Sequence, residues 1–145
     1  EEEIQAKVRE VGAQISREYE GKPLLLVSIL NGAFVFMADL CRAITIPCET
    51  AFMCAKSYYN GTSSSGIVKI TMDLMQVIKL LKARNPLSLK VITLLDKPER
   101  RLVKLDADIS LFTIPDHFVI GYGLDCGEIY RNLPYIAEYD EGETK

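Results

Sequence analysis

Four stretches of this 145-residue chain carry residue types that could act on a ligand rich in phosphate or carbonyl oxygens. Asn31-Gly32 directly follows an apolar run and precedes a helix-like segment. A helix start at that place offers free N–H groups to an anion, and glycine lets a ligand come close to the backbone. An ordinary strand-to-helix turn has the same composition. Lys97, in Asp96-Lys97-Pro98-Glu99-Arg100-Arg101, could donate to a carbonyl or phosphate oxygen, although a solvated charge run reads identically. Asp125 and Arg131 flank a polar segment. A carboxylate there suits Mg2+ and an arginine suits phosphate, while the two could also form a plain structural ion pair. The fourth stretch, residues 57–66 (SYYNGTSSSG), is long, small and polar. It fits a lid that closes over a reactive intermediate, or an idle hairpin loop. His117 is the only histidine. A proton-shuttling role near neutral pH is open to it, but a lone loop histidine beside proline reads more simply as exposed.

These residues need a scaffold, and hydrophobic periodicity supplies one. Ile4, Val8, Val11, Ile15 and Tyr19 recur at helical spacing, with Glu1 to Glu3 at the positive end of the dipole and Gly21 as the stop. Residues 24–30 (LLLVSIL) and 89–95 (LKVITLL) are continuous apolar runs, expected as strands covered on both faces. Residues 33–43 read as a helix with Phe34, Met37, Leu40 and Cys41 inward. Residues 50–57 read as a strand, 67–72 as another, and 75–84 as a helix ended by Asn85-Pro86. Residues 109–113 and 118–122 are short strands divided by a turn, and the tail from Tyr139 is polar and expected to fray. Alternating strands and helices specify an α/β fold with a mainly parallel sheet. The candidate residues cluster at the carboxyl ends of strands, where open α/β sheets bind ligands.

Composition narrows the classes. A net charge of −3 and a pI near 5.2 argue against a broad nucleic-acid surface. Cys41, Cys48, Cys54 and Cys126 form no C-x-x-C pair, and Cys41 and Cys54 read as buried thiols in a reducing compartment. No apolar stretch is long enough for a membrane helix, and no signal peptide is visible. The expectation is a cytoplasmic protein that binds neither membrane nor nucleic acid. No Walker or dinucleotide glycine motif is present.

Four segments together resemble the bacterial hypoxanthine (hypoxanthine-guanine) phosphoribosyltransferases: LVSILNGAFVF at 26–36, KSYYNGTSSSG at 56–66, PLSLKVITLLDKPERR at 86–101 and FTIPDHFVIGYGLDCGEIYRNLP at 112–134. Any one is weak; four in order are specific. The resemblance implies a type I phosphoribosyltransferase fold over residues 1–145, with a small hood and a flexible antiparallel lid hairpin. It implies transfer of a phosphoribosyl group from phosphoribosyl pyrophosphate to an oxopurine, with Mg2+, in a homodimer or homotetramer. By similarity, Leu30, Asn31 and Gly32, a turn that often holds a cis peptide bond in the family, and Arg131 would bind pyrophosphate. Ser57 and Tyr58 would lead the lid. Lys97 would bond the purine's six-position oxygen, Phe118 would stack on the ring, and Val119 would read the base edge through its backbone. Asp125 would hold Mg2+ and border the base. His117 stands where some relatives carry lysine.

One part of the family pattern has no counterpart. A strand ending in two acidic residues, then an Asp-Thr-Gly loop, is expected where Leu74 passes straight into Met75. The catalytic aspartate would lie there, so no catalytic residue can be named. If a segment is omitted at that junction, Leu74 and Met75 should be apart in space. A real deletion would instead split the sheet and favour a regulatory or nucleotide-binding protein of the same fold.

Overall fold

The structure, a computed structural model, describes residues 1–54, 74–100, 106–140 and 142. Ser57, Tyr58, the lid and the strand expected at 67–72 lie outside the described residues.

Helix α1 (Glu2–Glu18) forms where the periodicity places it. Ile4, Val8, Val11 and Ile15 are all buried on one face, Glu2 and Glu3 occupy the first turn, and Arg17 occupies the last. That face packs on α2 (Phe34–Ala43), which contributes Phe36 and Leu40 to the shared core. Phe34 faces outward at 43% exposure, contrary to expectation, and Phe36 takes the inward position. The ends of the two helices are tied through Ser16. Its hydroxyl donates to the Gly12 carbonyl (2.8 Å) and accepts the Thr45 N–H (3.0 Å).

Strand β1 (Leu25–Leu30) pairs in parallel with β2 (Glu49–Cys54), and β3 (Ile92–Asp96) pairs in parallel with β4 (Ile109–Thr113). Both pairs lie on the helix layer, β1 through Leu26 and the second pair through Ile92, Leu94, Ile109, Leu111 and Phe112. Helix α3 (Leu74–Lys82) buries Val77 and Ile78, and a left-handed Asn85 follows its last turn. The short strands β5 (Val119–Ile120) and β6 (Ala137–Glu138) form an antiparallel pair.

The α/β fold with parallel pairing is as expected, but several details are corrected. First, among the described residues, the parallel pairs β1–β2 and β3–β4 form separate two-stranded sheets. The apolar runs in β1 and β3 are also not fully buried: only Ser28 of β1 is buried, and every residue of β3 is half-buried. Second, Leu74 and Met75 are consecutive residues of one helix, so the chain has no spatial break between them. Cys54 is exposed on β2 rather than buried, and Cys41 is half-buried.

Candidate active site

The first half of the site is built on the turn between β1 and α2. The Leu30–Asn31 peptide is cis, as the resemblance implied. The Asn31 carbonyl then accepts the Phe34 N–H (3.2 Å), which starts α2. A loop from the other end of the chain backs directly onto this turn. Leu124 faces Gly32, and Gly123, with φ of +97°, lies so close that a Cβ there would sit 2.4 Å from the Gly32 carbonyl oxygen.

That loop is fixed from three sides. The N–H of Gly123 donates to the Arg131 carbonyl (2.9 Å), and the N–H of Tyr122 donates to the Leu133 carbonyl (2.8 Å). Tyr122 is almost fully buried, and its hydroxyl donates to Asp39 Oδ2 of α2 (2.6 Å), which also accepts from Gln5 Nε2 of α1 (2.8 Å). Burial, reinforced by the Asp39 carboxylate, pushes the Tyr122 phenol well above its ordinary pKa. The hydroxyl therefore stays a donor at any physiological pH.

Arg131 closes this half. Its Nη1 donates to the Gly123 carbonyl (2.8 Å), while Nη2 lies 3.1 Å from Asp125 Oδ1 and 3.2 Å from Glu128 Oε2. The second Asp125 oxygen accepts the Glu128 N–H (2.9 Å). The ion pair that the sequence left open is thus present. The same loop links Arg131, through the Gly123 carbonyl, to the residue that backs onto Gly32.

The second half lies at the end of β3. Lys97 Nζ donates to the His117 carbonyl oxygen, so the ammonium rests beside Phe118. His117 is half-exposed but not idle: its Nδ1 lies 2.7 Å from Glu138 Oε1. Phe118 is 52% exposed, the state of a ring that can receive a flat ligand. The Tyr139 N–H donates to the Phe118 carbonyl (2.9 Å) in the β5–β6 ladder. Val119 and Glu138 are thereby a non-hydrogen-bonded pair, whose backbone groups point out of the ladder. The Val119 N–H and C=O are directed away from β6.

Sequence reasoning gave Glu138 no role and assigned Tyr139 to a fraying tail. Tyr139 instead makes a T-shaped contact with Phe118, centroids 5.9 Å apart at 66°, and a tilted contact with Tyr130 at the same distance. It also missed the Tyr122–Asp39 bond. The only available signal was aromatic residues at 130 and 139 around Pro134.

The arrangement is that of an α/β protein with a cis-peptide turn backed by one loop and an exposed aromatic ring beside a lysine. The family model for the phosphoribosyl transferase domain matches residues 1–73. The chain is 42% identical to the hypoxanthine-guanine phosphoribosyltransferase of Streptococcus pneumoniae, covering 97% of this chain and 90% of that protein. A crystal structure of a hypoxanthine phosphoribosyltransferase from Staphylococcus aureus superposes with a TM-score of 0.84 at 40% identity, covering 96% of this chain and 88% of that one. The Trypanosoma cruzi hypoxanthine phosphoribosyltransferase, solved with the product IMP, gives 0.81 at 36% identity over 97% of this chain and 91% of that one. The chain belongs to the hypoxanthine-guanine phosphoribosyltransferase family. The pneumococcal alignment runs over 162 residues, more than the 145 of this chain, so that relative carries residues with no counterpart here.

Proposed function

We propose that the protein serves purine salvage by transferring the 5-phosphoribosyl group of phosphoribosyl pyrophosphate to hypoxanthine, or to guanine or xanthine. A purine ring nitrogen bonds to the sugar's anomeric carbon. The bond from that carbon to pyrophosphate breaks, the leaving group takes the electron pair, and the base loses a proton. The observation that carries this reading is the pairing of an exposed ring (Phe118, with Lys97 beside it) with a cis-peptide turn (Asn31-Gly32, backed by the Gly123 loop that holds Arg131) in a chain so similar to known transferases.

The roles follow from chemistry. Lys97 leaves the His117 carbonyl to donate to the six-position oxygen, which adenine lacks. Phe118 stacks on the purine, and the Val119 backbone reads its edge. The turn at Leu30, Asn31 and Gly32 and the Arg131 guanidinium hold the pyrophosphate, so negative charge is met as it develops. Asp125 uses two of about four lone-pair positions in the contacts above. A partly exposed carboxylate with lone pairs to spare suits Mg2+, which keeps several waters and takes its other ligands from substrate oxygens. Asp125 would hold that ion, directly or through water, and the ion would supply further charge neutralisation for the leaving group. The reading requires that the protein, given hypoxanthine, phosphoribosyl pyrophosphate and Mg2+, yields IMP and pyrophosphate by chromatography. No nucleotide from any oxopurine would overturn it.

A further inference from the structure

We propose that Tyr139 is a positioning residue for the purine base, acting through the ring of Phe118; this rests on the oxopurine-binding reading above. Phe118 has over half its surface exposed, so core packing does little to hold its ring. Two contacts to Tyr139 restrain it. The backbone bond from the Tyr139 N–H to the Phe118 carbonyl fixes where the side chain starts. The T-shaped ring contact, 5.9 Å between centroids, restrains how the ring turns. The neighbouring residue works on the same shelf: Glu138 pairs with the His117 imidazole, and the His117 carbonyl holds Lys97. Tyr139 also touches Tyr130, which directly precedes Arg131. One side chain from the end of the chain thus sits between the ring shelf and the pyrophosphate site. A ring held in one orientation loses less freedom when a base stacks on it. Tyr139 therefore acts on base affinity and not on the transfer step.

The test compares Tyr139→Ala, Tyr139→Leu and Tyr139→Phe in the full chain. The Ala and Leu variants are expected to raise KM for hypoxanthine about three- to tenfold. Their kcat and their KM for phosphoribosyl pyrophosphate should stay within about twofold, since no contact to that substrate is removed. Tyr139→Phe should restore the wild-type KM, because the ring and not the hydroxyl makes the contact. An unchanged KM for hypoxanthine in both Ala and Leu variants overturns the proposal, as does a parallel loss for both substrates. Failure of the wild-type chain to use any oxopurine would sink the functional reading, and with it Tyr139's role toward a base; the restraint on Phe118 is tested separately. The ligand-free protein then decides: NMR resonances of the Phe118 ring, assigned with Phe118→Leu, must shift in Tyr139→Leu. If they do not move, Tyr139 does not position that ring.

Discussion

Replacing Gly123 with alanine is expected to lower stability by at least about 2 kcal/mol and to weaken phosphoribosyl pyrophosphate binding at least about tenfold. Two independent penalties meet at this residue. Its φ of +97° lies where a side chain strains the backbone, and the new Cβ would stand 2.4 Å from the Gly32 carbonyl oxygen. That oxygen is main chain in the turn proposed to bind pyrophosphate, so it cannot swing aside as a flexible side chain would. The 121–131 loop must therefore retreat from the turn. The Gly123 carbonyl that receives Arg131 Nη1 retreats with it. Binding suffers because Arg131 and the Asn31-Gly32 turn stop converging. Urea denaturation and calorimetric titration with phosphoribosyl pyrophosphate measure both effects. An alanine variant within about 0.5 kcal/mol of wild type, with unchanged affinity, would show that the loop does not back the turn.

Replacing Lys97 with methionine is expected to reduce kcat/KM for hypoxanthine by about 10- to 150-fold, the worth of a hydrogen bond to a charged donor. Methionine preserves the length and apolar stem of the side chain but has no ammonium. In the structure this ammonium rests on the His117 carbonyl, beside the exposed Phe118 ring. The loss should fall on the base and leave KM for phosphoribosyl pyrophosphate nearly unchanged. Steady-state kinetics varying each substrate in turn separate the two. An equal effect on both substrates would mean that Lys97 serves general folding or the phosphate end.

Local pattern carried much of this fold. The α1 spacing placed all four of its buried apolar side chains, Ile4, Val8, Val11 and Ile15, because a helix packing on one face must repeat near 3.6. Strand β4 fell on residues 109–113 as read. Strand β3 starts three residues later than the apolar run suggested. There the Asp108 carboxylate takes the Val91 N–H (2.6 Å), and the ladder with β4 opens only at Ile92. That start depends on a partner 17 residues away, which periodicity cannot register. Lys97, Phe118, Val119, Asp125 and Arg131 were accessible through family resemblance; the structure puts Lys97 beside Phe118 and Asp125 beside Arg131. Glu138 and Tyr139 were not, because a two-residue strand has no period and its partner precedes it by about twenty positions. The divided sheet was likewise foreseeable only as one of two outcomes, since runs such as residues 24–30 record the need for cover and not which element provides it.

The most direct test of an oxopurine-reading site is a side-by-side transferase assay of the full protein with hypoxanthine and with adenine, each with phosphoribosyl pyrophosphate and Mg2+. A lysine ammonium can donate to the six-position oxygen of hypoxanthine but meets an amino donor on adenine, and mismatched polar groups are strongly rejected in such sites. The expected result is IMP from hypoxanthine and no measurable AMP from adenine. Comparable rates with the two bases, or product from adenine alone, would contradict the assignment of Lys97 and the base-reading shelf built around it.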